Sequence, residues 1–200
     1  MSINNLLLLL LLAGLTACTP GVQQHTTAPA SETTVSTGIA QISESERNDY
    51  RNAITALNSN NFDLAEKILK EMLKARQDLA GPWANLGLVY LKKNDVVQAR
   101  SALGHALQLN PKQAYALNLM GVVEYNAGNA QKATDYYLAA LQSKPDYANA
   151  HYNIALLYDI IYQDLPKAVE HYQQYMTLTN NQDKDTATWL EQLSATLKSK

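Results

Sequence analysis

A spacing of 34 residues governs the middle of this chain. Gly87 and Gly121, Ala99 and Ala133, Ala106 and Ala140, and Pro111 and Pro145 are each separated by that interval. A repeat of this length is too short to bury a core alone, so neighbouring copies must stack on one another. One step back from Ala99 reaches Ala65, with Phe62 three residues before it. One step forward from Ala133 reaches Lys167, and Ala168 follows, so the last copy holds one extra residue within Asp159–Asp164. The spacing predicts four units, at 46–79, 80–113, 114–147 and 148–182.

The residue types suit helices. Ala, Leu, Asn, Gln and Tyr are frequent and Gly and Pro sparse, which favours helix over sheet. Pro82-Trp83-Ala84-Asn85-Leu86-Gly87-Leu88-Val89-Tyr90 shows Trp, two residues, Leu-Gly, two residues, Tyr. With the later Ala99, Ala106 and Pro111, this resembles the tetratricopeptide repeat over about two thirds of the chain. The resemblance implies an all-α, right-handed α-solenoid of about four helix pairs. Ala53 and Ala155 replace the glycine of the pattern, and Leu69 and Leu103 stand where an aromatic is usual, which Tyr137 and Tyr172 keep. In such a unit, small residues at Ala53, Gly87, Gly121 and Ala155 let the first helix approach the second. Ala65, Ala99, Ala133 and Ala168 do the same from the other side. Trp83, Tyr90, Tyr137 and Tyr172 fill the space between units, and Pro111 and Pro145 separate them. Ser43 before Glu46, Asp63 before Glu66 and Asp95 before Gln98 read as helix N-caps. A C-terminal capping helix is expected within 183–200, with Trp189, Leu193 and Leu197 covering the last unit and a polar outer face.

The N-terminus carries a different signal. Seven leucines, Leu6–Leu12, are followed by Ala13-Gly14-Leu15. That run suits a signal-peptide core and falls short of the ~20 residues a membrane span needs. It ends in Leu15-Thr16-Ala17-Cys18, which resembles a bacterial lipobox, although Met1–Asn5 lacks the usual Lys or Arg. The resemblance implies cleavage of 1–17 and a diacylglycerol and palmitate-type acylation at Cys18, the chain's single cysteine. Thr19, in place of the Asp that retains such proteins at the inner membrane, implies an outer-membrane lipoprotein facing the periplasm. Residues 18–42 then form a Thr/Ser/Pro-rich tether without helical or strand period.

No catalytic constellation is visible. His25, His105, His151 and His171 lack metal-site spacing, and there is neither a phosphate loop nor a G-x-S-x-G. No cofactor, metal or small-molecule substrate is expected, and a net charge of −2 gives no footprint for nucleic acid. The reading is therefore a non-enzymatic scaffold whose partner is a protein or peptide segment in the concave groove, with the membrane engaged through the lipid. By resemblance, the groove residues are Tyr50, Arg51 and Ile54; Ala84, Asn85 and Leu88; Asn118 and Val122; Tyr152, Asn153 and Leu156; and Tyr125 one turn further on. The asparagines there either bond a peptide backbone or serve the repeat itself. Co-chaperones of this family clamp a C-terminal carboxylate with Lys, Arg and Asn; the matching Ala84, Leu88, Leu119 and Asn153 do not suit that, and Arg47 and Arg51 are the only cations placed in the groove. The layout resembles lipoproteins of pilus-secretin assembly and of TonB–ExbB–ExbD systems. A scaffold recruiting peptidoglycan enzymes is the alternative, and an envelope hydrolase the remote one.

Overall fold

The computed structural model describes residues 42–198. Cys18, the leader and the tether up to residue 41 lie outside the described residues. Within them every regular element is helical, and the helices pair into an α-solenoid: α1 (Glu44–Asn58) with α2 (Phe62–Ala75), α3 (Ala80–Lys92) with α4 (Val96–Leu109), α5 (Ala114–Asn126) with α6 (Ala130–Ser143), and α7 (Ala148–Leu156) with α8 (Leu165–Leu178). A last helix, α9 (Lys184–Lys198), packs on α8.

Each pair closes where a glycine or alanine of the first helix meets the second. A Cβ added at Gly87 would stand 2.5 Å from Leu103 Cγ, and one at Gly121 would run into the Tyr137 ring. Ala53, Ala65 and Leu69 close the first pair, and Ala155, Ala168 and Tyr172 the fourth, all buried. Trp83 is only partly buried; it stacks on His105 with centroids 4.6 Å apart and donates its indole N–H to the Gln77 carbonyl.

The turn inside each unit also repeats. Asn60, Asn94, Gly128 and Gln163 take positive φ (58°, 58°, 79° and 54°), and the next residue is the N-cap of the second helix. Asn and Gly tolerate this left-handed conformation better than other residues do. In the first three turns that next residue (Asn61, Asp95, Asn129) returns its N–H to a carbonyl five positions back; in the fourth, Asp164 bonds Tyr158, six back. The extra residue of the fourth unit is absorbed in a π-helical turn, Leu157–Ile161, which leaves the left-handed turn intact.

Two expectations need correction. Asn61, not Asp63, caps α2, its side chain accepting from Leu64 N–H; stepping back 34 from the Asp95 cap would have found it. Ser43 and Glu46 form a reciprocal capping box. On α9, Leu193 is buried, with Leu190 and Leu197 partly so and Thr186 buried, whereas Trp189 stays 44% exposed. A strict spacing of four drifts around a helix of 3.6 residues per turn, so Thr186, Leu190, Leu193 and Leu197 form the stripe instead. Trp189 lies on its flank and donates to Asp159 Oδ2 at 2.7 Å.

Candidate functional site

The first helices of successive units are neighbours, and their facing residues form three columns at the repeat interval. Tyr50, Ala84, Asn118 and Tyr152 make the first; Arg51, Asn85, Leu119 and Asn153 the second; Ile54, Leu88, Val122 and Leu156 the third. The first two columns join diagonally, the first-column residue of one unit meeting the second-column residue of the next. Asn85 Nδ2 donates to the Tyr50 hydroxyl at 2.6 Å, and Asn153 Nδ2 to Asn118 Oδ1 at 2.9 Å. At the joint between them stand Ala84 and Leu119, both in the buried core. The two polar pairs bond, and the apolar positions between them are buried.

These contacts change what the asparagines offer. Asn85 is 7% exposed and Asn118 4%. Asn85 also accepts from the Tyr115 hydroxyl at 3.1 Å, so both ends of its amide are bonded within the array. Burial pushes the Tyr50 and Tyr115 hydroxyls upward in pKa, which keeps both neutral. The third column is different. Ile54, Leu88, Val122 and Leu156 are each partly buried against the core and partly open. Tyr152 is partly buried with its ring 5.0 Å from that of Tyr175, Tyr125 is 43% exposed, and Arg51 is exposed with Nη1 on Asn48 Oδ1. Arg51 is the one charged residue of the three columns.

One buried charge escaped the sequence reading. Glu124 is 3% exposed; its carboxylate pairs with Arg100 of α4 and accepts from Asn129 Nδ2 at 2.8 Å. It lies 34 residues after Tyr90, where the repeat pattern has tyrosine, and that substitution was the available signal.

His151 and His171, assigned no role above, meet across α7 and α8 with their Nδ1 atoms 3.0 Å apart. The Pro145 carbonyl accepts from His151 Nε2, so that nitrogen carries a proton, and the two Nδ1 atoms share one hydrogen bond. Burial first, and then the charge of His151, hold His171 below its usual 6.5, with Glu170 opposing. The folded state thus binds fewer protons than the unfolded chain once pH falls below that value. Stability from this group is full above about pH 6.5 and is lost as pH falls through the window below it, down to the folded pKa. Thermal melts between pH 7.5 and 5 should show a fall in melting temperature that His171→Gln reduces; equal slopes in both proteins would contradict this.

Among the described residues, no group of three His, Cys, Asp or Glu is placed to hold a metal ion, and no helix is long and apolar enough to cross a membrane.

A family model described as tetratricopeptide repeat matches residues 50–114, 84–148 and 118–182, windows that begin on successive members of the first column. The peroxisomal targeting signal receptor of Saccharomyces cerevisiae is 29% identical over 99 residues, which are 48% of this chain and 16% of that protein. The chain thus spans about a sixth of that relative's length. Pseudomonas aeruginosa pilF superposes with a TM-score of 0.68 at 20% identity, over 76% of this chain and 69% of that one. The first tetratricopeptide domain of Spaghetti (RPAP3), bound to the HSP90 peptide SRMEEVD, matches with a TM-score of 0.50 at 16% identity, over 52% and 82%. At these identities the two structures share the fold.

Proposed function

Because the chain belongs to the tetratricopeptide-repeat family, whose domains bind peptides or proteins as the RPAP3 domain does, we propose that it is a membrane-held scaffold of the cell envelope, lipidated at Cys18, that presents its groove to a protein segment. The observation that carries this reading is the sequence Leu15-Thr16-Ala17-Cys18 two residues after the leucine run, upstream of an interaction array. The acyl chains hold the protein on the outer membrane, facing the periplasm. Several chains together anchor far better than one, because each buried methylene contributes ~0.8 kcal/mol. The machine served is of the pilus-secretin or the TonB–ExbB–ExbD class, and the likeness of fold to Pseudomonas aeruginosa pilF supports the first.

The test is metabolic labelling with palmitate. The wild-type chain should take up label and fractionate with the outer membrane, whereas Cys18→Ser should do neither. Equal label in the two would end the lipoprotein reading. Affinity capture of the lipidated protein, with its partners identified, then decides between secretin and TonB components.

A further inference from the structure

The groove has two kinds of surface, and they favour different ligands. An extended peptide brings backbone N–H and C=O groups that need partners, and burying them unpaired is costly. Of the groove amides, Asn85 is bonded at both ends, to Tyr50 and Tyr115, and Asn153 donates to Asn118. Beside them runs a partly open aliphatic stripe of Ile54, Leu88, Val122 and Leu156, with one residue from each unit. A helix satisfies its own backbone and asks of the groove only apolar contact.

The spacing agrees. Packed helices lie about 8–10 Å apart, so the stripe advances by about that distance per unit. A helix rises 1.5 Å per residue and covers about 10 Å in seven residues. Charge sets the remaining condition. Arg51 is exposed beside the first member of the stripe, and its guanidinium donates to the neutral Asn48 side chain. We infer that the groove's occupant is an amphipathic α-helix laid across α1, α3, α5 and α7, with an apolar residue every seventh position and an acidic residue where it meets α1. The inference rests on the groove reading above and commits it to a helix in place of an extended tail.

The test does not require the partner to be known. Benzoylphenylalanine is placed singly at Ile54, Leu88, Val122 and Leu156 of the full chain in its own cells, and the adducts are mapped to residues after irradiation. The expected result is one partner protein whose crosslinked residues step by about seven from each unit to the next. An extended segment at about 3.3 Å per residue would step by about three; that outcome overturns the helix and leaves the groove reading standing. Adducts that are absent from all four positions, or scattered over unrelated proteins, overturn the groove reading itself. Arg51→Glu supplies the second readout: adduct yield at residue 54 should fall at least several-fold, while the melting temperature of this exposed variant stays unchanged. An unchanged yield overturns the acidic end of the assignment.

Discussion

Arg100→Ala should be among the most damaging single changes in the array, lowering stability by about 3 kcal/mol. The reason is the Glu124 carboxylate, 3% exposed on α5 and paired with the guanidinium across the boundary between the second and third units. Removing one partner of such a pair leaves a buried charge uncompensated, at a loss of about 3–5 kcal/mol. The Asn129 bond to the same carboxylate persists, and the Arg100 side chain is 41% exposed, which sets the expectation at the low end. For a domain of this size the melting temperature should fall by about 6–12 °C, followed by circular dichroism. Glu124→Gln in the Arg100→Ala background should restore most of the loss, because the charge goes while an acceptor for Asn129 stays. If Arg100→Ala melts within 2 °C of wild type, the pair does not hold the joint.

Gly87→Leu should lose about as much for a steric reason. Even a Cβ there meets Leu103 at 2.5 Å, and Leu103 is fully buried with no room to retreat. Overpacking of this kind costs about 1–3 kcal/mol, and a branched side chain belongs at the upper end. Leu103→Ala alone should cost about 2–5 kcal/mol through the cavity it leaves. The two changes occupy one space, so the double variant should be more stable than their sum by at least about 1 kcal/mol. Simple additivity in chemical denaturation would show that contact with Leu103 is not what requires a glycine at position 87.

The small residues were legible in the sequence because each answers one steric demand at a fixed interval. The same holds for the extra residue of the fourth unit, since a broken period has a definite place. The groove was legible as a set of columns but not in its chemistry. Tyr50 and Asn85 are 35 residues apart, one more than the period, and nothing in a list of repeat positions says that polar groups will meet diagonally. Asn85 read equally as a ligand for a peptide or as a residue of the repeat itself, and its amide bonds Tyr50 and Tyr115 of the neighbouring units. Glu124 was hidden differently: a charged residue in a helix reads as surface, and only its register against Tyr90 marks it as core. Trp189 was misplaced because its spacing of four from Leu193 suggested a shared face, while its angular position on α9 put it on the flank beside Asp159.

The diagonal joints give the array a fixed word order. Tyr50 faces Asn85, Ala84 stands at the joint with Leu119, and Asn118 faces Asn153. Excising the second unit would set Tyr50 against Leu119, stranding a hydroxyl on a leucine. Excising the third would set Ala84 against Asn153 and strand an amide. Excising both would bring Tyr50 to Asn153 and restore a polar match. The units therefore share a backbone plan without being interchangeable.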